Sequence, residues 1–250
     1  MIDSPVFWLA GPYVVTLAFL VGMVWRYRYD RYGWTSRSSQ LYESRLLRIA
    51  SPMFHVGLLM ALLGHLGGLV VPASVTERIG ISEHVYHVVA VALGTVAAVF
   101  VTAGLGILIY RRRTVGRVFI VTTKMDKLMY AVLASLIGLG VWNTVAINLL
   151  NVTGEFAGGY NYRETVSIWF RSIAWFSPRP ELMVDAPLSF QLHIVLAMIL
   201  VAITPVTRLV HIFSAPIGYP TRPYLVYRSR DPQSPQSRKP QRGWEPIQPR

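Results

Sequence analysis

The stretch Ser51–Pro72 is long enough to cross a bilayer and carries no charged residue, yet it holds two imidazoles, His55 and His65. A segment of this kind folds as a helix in hydrocarbon, where its backbone satisfies itself. A polar ring at that depth needs a partner, so two of them on one span form a candidate functional site. Far downstream His193 and His211 sit on another apolar span, Phe190 to Phe213. The chain therefore carries two histidines on each of two spans.

Composition agrees with a polytopic membrane protein. Of 250 residues 53% are hydrophobic and 14% charged, and the mean hydropathy is +0.42. Such values do not suit a soluble domain with one core. Five spans are predicted: Pro5–Val24, Ile49–Val71, Val85–Tyr110, Leu128–Leu150 and Leu188 to about Leu209. No signal peptide is expected, because the N-terminus lacks a basic region and its apolar stretch runs straight into a full span. The net charge of +12 argues for topology and not for nucleic acid, since the basic residues collect just outside the spans. Alternate connections and the tail hold 20 Lys and Arg on one side, against 4 on the other. This asymmetry predicts an all-α membrane bundle with its N-terminus outside and its C-terminus in the cytoplasm. Residues 1–228 would form the membrane domain. The basic, proline-rich segment 229–250 is expected to be a disordered tail, able to lie against anionic lipid or a partner. Between the fourth and fifth spans, Thr165 to Phe176 reads as an interfacial helix at the outer surface.

The chain has no cysteine, which excludes disulfides, cysteine-ligated iron–sulfur clusters and covalently attached haem. Two bis-histidine sites in a membrane point first to haem b. Interhelical hydrogen bonds or a histidine-lined metal path are the alternatives, and the five spans offer no carboxylate for the latter. If the second and fifth spans run antiparallel, His65 lies opposite His193 and His55 opposite His211. On ideal helices the spacings differ, a rise of about 15 Å for the first two histidines against about 27 Å for the others. Pro205, between His193 and His211, should kink the fifth helix and absorb part of that mismatch. Gly57, Gly64, Gly67 and Gly68 would let a flat macrocycle approach the backbone. Arg208, one turn before His211, could pair with a propionate.

Several runs resemble the gamma subunit of membrane-bound respiratory nitrate reductase, a di-haem cytochrome b. They are Arg26-Tyr-Arg-Tyr-Asp-Arg-Tyr-Gly-Trp-Thr-Ser-Arg-Ser-Ser-Gln40, Phe54-His55 with Gly64-His65, Gln191-Leu-His193, and Pro205-Val-Thr-Arg208-Leu-Val-His211-Ile-Phe-Ser-Ala-Pro216. The resemblance extends to about Arg228 and does not include the proline-rich extension. It implies haem iron ligands at His55 and His211 for the inner haem, and at His65 and His193 for the outer one. It further implies a subunit of the cytoplasmic membrane that oxidises quinol at the outer side. Electrons would pass to an iron–sulfur beta subunit and then to a molybdenum-containing alpha subunit, where nitrate is reduced. A quinol site by the outer haem is implied as well, with a basic side chain at the start of the third span. This chain has no lysine there and offers Glu83, His84 and His87 in its place, His87 being the candidate base for a quinol hydroxyl. A cytochrome b of a formate dehydrogenase or hydrogenase, or a non-redox membrane anchor, are the competing readings.

Overall fold

The computed structural model describes residues 4–150 and 160–214, all within one compact unit, Met1–Ser214. The tail expected from residue 229 and the start of the long connection, residues 151–159, lie outside the described residues.

Among the described residues every regular element is helical. Five helices are long and apolar enough to cross a membrane. They are α1 (Pro5–Tyr29), α2 (Arg45–His65), α4 (Glu83–Thr114), α6 (Lys124–Val141) and α9 (Leu188–Ile203), with α2 and α6 running on through π-helical turns, Leu66–Val70 and Trp142–Leu149. Short helices join them: α3 (Ala73–Arg78), α5 (Gly116–Ile120), α7 (Val166–Ala174) and α8 (Glu181–Val184). Side chains such as Leu17 and Val21 point outward at 63% and 60% exposure, the surface of a bundle solvated by lipid.

Local signals in the chain set the helix ends. The Ser82 hydroxyl accepts from the Val85 N–H to start α4, and Arg111, Arg112 and Arg113 fill its last turn, where the helix dipole favours cations. Thr123 and Asp126 form a reciprocal capping box that opens α6. The helices start earlier than hydropathy alone indicates, so the fourth spanning helix takes in Asp126, a carboxylate the apolar pattern had left in a connection.

Helices α2 and α4 make the tightest pair. A Cβ on Gly104 would sit 2.6 Å from the Phe54 nitrogen, and one on Gly57 2.5 Å from the Val101 nitrogen. Glycine at both places lets the two backbones touch, the close packing that drives helix association in lipid. Phe54, Val101, Leu105 and Leu133 fill the core beside this crossing. At the opposite end, Trp8 and Trp169 are buried edge to face, 5.6 Å apart, against Val166, Met183 and Ala186. The Trp169 indole N–H donates to the Trp8 carbonyl at 3.1 Å. Helix α7 therefore sends Val166, Ser167 and Trp169 into the protein and leaves Phe170, Trp175 and Phe176 outside.

The fifth span departs from the sequence expectation. Pro205 ends the helix outright instead of kinking it. Helix α9 stops at Ile203, Thr204–Val206 is a 3-10 turn, and Thr207 is extended (φ −111°, ψ 179°). A second 3-10 segment, Arg208–Ser214, carries His211. Proline supplies no N–H, and its ring blocks the preceding turn of an α-helix.

Candidate functional site

The four histidines meet in two pairs. The His65 and His193 rings lie 6.1 Å apart, centre to centre, and nearly parallel at 16°. The His55 and His211 rings lie 6.3 Å apart and are inclined at 68°. The first pair belongs to the end of the bundle where α2 finishes and α9 begins, the second to the opposite end. Helix α2 packs chiefly on α4, and α9 on α6 and α1. The histidines thus face each other across two helices that are not each other's main packing partners.

Backbone carbonyls hold all four rings through Nδ1. His55 Nδ1 meets the Ser51 carbonyl at 2.7 Å and His65 Nδ1 the Ala61 carbonyl at 2.6 Å, each one turn back along α2. His193 Nδ1 reaches across to the Leu136 carbonyl of α6 at 3.1 Å, and His211 Nδ1 contacts the Arg208 carbonyl. A carbonyl oxygen only accepts, so each Nδ1 must carry the proton and each Nε2 keeps its lone pair. That is the tautomer a metal-ligating imidazole needs, with the orienting bond already made. Two metal–nitrogen bonds of about 2.0–2.1 Å plus half a ring on either side span roughly 6 Å, which matches both separations. No group of three or more metal-ligating side chains occurs among the described residues.

Neighbouring elements prepare the pair at the His193 end. A Cβ on Gly140 would lie 3.1 Å from His193 Cε1, so α6 needs a glycine where the ring passes. Buried Gln191 donates to the Ala186 and Val184 carbonyls at 2.8 and 3.2 Å and fixes the turn into α9. Both π-helical turns of the spanning helices also fall at this end, and such turns concentrate at functional sites. Of the four glycines expected to admit a flat ring, only Gly64 faces open space. Gly57 packs on α4, Gly68 lies under the Tyr162 ring, and a Cβ on Gly67 would be 3.5 Å from the Tyr86 hydroxyl.

Two other expected site residues have partners within the protein. Arg208 donates from Nε to Asp126 Oδ1 at 2.8 Å and pairs through Nη2 with Asp126 Oδ2 at 2.8 Å. Its Nη1 donates to the Ser36 and Arg37 carbonyls at 3.2 and 3.3 Å. Through these bonds Arg208 anchors the 3-10 segment that carries His211. Glu83 pairs with Arg163 Nη1 at 2.7 Å. His84 is exposed and His87 half-buried at the start of α4.

Arg163 is the residue that sequence reasoning missed. It is buried, donates to Thr76 Oγ1 and the Val71 carbonyl, both at 3.2 Å, and stacks its guanidinium 3.8 Å over the Tyr86 ring. Counted only as one of four cations in its side's tally, it gave no signal. The nearby Tyr162 hydroxyl has its pKa raised by burial and by its interaction with Tyr86, so it stays protonated.

Fold and site together define a class: a membrane bundle of five spanning helices that presents two facing pairs of Nδ1-protonated histidines. Residues 4–230 match the family described as nitrate reductase gamma subunit, and the chain belongs to that family. It is 54% identical over 238 residues to the nitrate reductase-like protein NarX of Mycobacterium tuberculosis, covering 95% of this chain and 36% of that one. It is 40% identical over 228 residues to the nitrate reductase gamma chain of Bacillus subtilis, covering 91% of this chain and 99% of the relative. With the respiratory nitrate reductase 2 gamma chain of Escherichia coli, identity is 31% over 220 residues, 88% of this chain and 94% of the other. The chain therefore spans little more than a third of NarX and nearly the whole of the two gamma chains.

Proposed function

We propose that this chain is the membrane subunit of a quinol:nitrate oxidoreductase and binds two b-type haems, one at His55 and His211 and one at His65 and His193. The observation that carries this reading is the shared state of the four rings, each held by a carbonyl at Nδ1 with Nε2 left over. When bound, the two haem irons supply a one-electron relay between the two ends of the bundle.

The protein's own groups set the conditions for that relay. Carbonyl bonds fix the ring planes, so neither pair must reorganise to accept a metal. A half-exposed imidazole inside a span is costly in lipid, and a ligand seated between the rings removes that cost. The basic bias places the His55–His211 end in the cytoplasm and the His65–His193 end outside, in the cytoplasmic membrane of the cell. His87, near the outer pair, would take the hydroxyl proton of quinol, with Arg163 and Glu83 bracing the wall of Tyr86 and Tyr162 beside it. At the inner end the 30–44 connection presents Tyr32 and Leu41 at 98% and 99% exposure. This surface would meet an iron–sulfur beta subunit, and beyond it a molybdenum alpha subunit would reduce nitrate. The chain has no cysteine for a cluster, so the iron–sulfur relay would belong to the partner.

The test is purification of the chain with whatever holds to it. A reduced absorption spectrum of bis-histidine haem b, at two haems per chain, with a molybdenum-containing partner is the expected result. A haem-free chain overturns the cofactor assignment, and a di-haem chain whose partner lacks molybdenum moves it to another quinone-linked complex.

A further inference from the structure

Helix α7 and the loop that follows it form a groove of about 390 Å³ whose wall includes Arg171, Ser172, Trp175, Ser177 and Arg179. The loop is built, not loose. Ser172 Oγ donates to the Trp169 carbonyl at 2.6 Å and accepts from the Arg179 N–H at 3.1 Å, while the Ser177 N–H donates to the Ser172 carbonyl at 3.1 Å. Phe176 adopts the left-handed region at φ 52°, which a non-glycine residue enters only when its surroundings hold it there. Arg171 Nη1 donates to the Leu69 carbonyl at the end of the α2 span, at 3.0 Å. Among the described residues no carboxylate lies within ion-pair distance of Arg171 or Arg179. Burial, and then the neighbouring charge of Arg163, lower the pKa of Arg171.

The groove lies beside the first turns of α1, an apolar spanning helix. Phe176 stacks on Tyr13 at 6.0 Å and 9°, and the Tyr13 hydroxyl donates to the Ile173 carbonyl at 3.0 Å. Leu9 and Val14, on the same stretch of α1, are exposed at 45% and 63%, as lipid-facing residues are. Trp175 and Phe176 stand out at 81% and 84%, in the manner of an aromatic belt. Two guanidinium groups without a carboxylate partner among the described residues, beside a lipid-facing aromatic pair, fit a charged head joined to acyl chains better than a free ion.

We propose that this groove binds the phosphodiester headgroup of an anionic phospholipid, with Arg171 and Arg179 on the phosphate and Trp175 and Phe176 against the chains. The assignment does not depend on which side of the membrane this end faces. It is tested by native mass spectrometry of the purified full-length protein, titrated in detergent with phosphatidylglycerol or phosphatidylcholine. One phosphatidylglycerol per chain should survive washing, phosphatidylcholine should not, and inorganic phosphate at tens of millimolar should not displace the lipid. The double substitution Arg171→Gln with Arg179→Gln should weaken retention about thirty-fold, and the double lysine variant should keep most of it. Arg179→Gln alone, at an exposed side chain, should cost about five-fold with helical content and unfolding temperature unchanged, which covers the case of a misfolded double variant. Equal retention of both lipids, or unchanged retention in Arg179→Gln and the double variant, overturns the proposal. Full displacement by inorganic phosphate would make a free anion the ligand and overturns it too.

Discussion

The two ends of the bundle each gather a histidine pair, but they hold it by different means. At the α9 start, His193 is part of a regular helix, and a second helix shapes its ring through the Leu136 carbonyl and the gap at Gly140. At the other end, His211 lies beyond a broken helix, on a 3-10 segment whose Phe213 ring packs 5.5 Å from Phe19 of α1. Arginines do the work there. Arg208 ties the segment to Asp126 and to the 36–37 carbonyls. Arg26 donates to the Pro205 carbonyl at 3.0 Å and to the Gly33 carbonyl, and Arg111 to the Ser39 hydroxyl and carbonyl at 2.8 and 2.9 Å. One histidine pair is fixed by packing and the other by charge-assisted hydrogen bonds, so the two ends should fail differently.

The largest effect comes from the ligands themselves. His211→Leu should leave one haem per chain, retained at the His65–His193 end, and His193→Leu should leave the other. Electron delivery to the soluble partner should be abolished in both, measured by haem content and by quinol-driven nitrate reduction. Loss of both haems from either single substitution would mean that the pairs are not independent sites.

Supporting groups should separate the two ends at a smaller scale. Gly140→Val would push a methyl-bearing carbon into the His193 ring and empty only that site, with the unfolding temperature little changed. Asp126→Asn breaks the buried pair with Arg208, a loss of about 3–5 kcal/mol. It should lower the unfolding temperature and loosen the His211 site without touching the His193 spectrum. Reversed site selectivity would contradict the assignment of packing to one end and ion pairing to the other.

What the sequence made legible follows the same division. Spans and partners were readable because hydrophobic runs and intramembrane histidines are strong, local signals, and antiparallel order then paired His65 with His193 and His55 with His211. The spacing mismatch, ten residues on α2 against eighteen on the fifth span, was legible as a problem but not as its solution. Pro205 announced a disturbance, while past the stop at Ile203 Arg26 holds the Pro205 carbonyl and Arg208 reaches the Ser36 carbonyl, contacts that join residues far apart in the chain. The buried arginines were opaque for that reason. Charge counting treats Arg26, Arg111, Arg163 and Arg208 as topology signals, yet each is also a clamp on backbone carbonyls. The pairing of Glu83 with Arg163 was equally unreadable, because the two lie eighty residues apart.

His87 offers a finer probe of the outer end. His87→Leu should keep both haems, because it is in neither pair, and should reduce quinol-driven turnover. Nitrate reduction fed by an artificial donor to the soluble partner should be unchanged. Unaltered quinol kinetics would leave Arg163, Tyr86 and Tyr162 as a structural wall with no base beside it.

The smallest effect is a pH signature that differs between the ends. Burial pushes the Glu43 carboxyl up, but the Leu46 N–H and the Arg111 guanidinium outweigh it and hold its pKa below the usual value of 4.5. A depressed carboxyl contributes stability above its unfolded pKa, and loses that contribution as pH falls through the folded one. Tyr162 has the opposite sense. Burial and then Tyr86 raise its pKa above the usual 10.0, so its contribution is complete below that value and is lost as pH climbs toward the folded one. The Glu43 end should therefore soften in acid and the Tyr162 end in alkali. Unfolding temperatures of the reconstituted protein across pH should show both limbs. Glu43→Gln should flatten the acid limb and leave the alkaline one, and Tyr162→Phe should do the reverse. If either substitution flattened both limbs, the ends would be coupled through the bundle, and the contrast between a packed site and a charge-tied site would not extend to their stability.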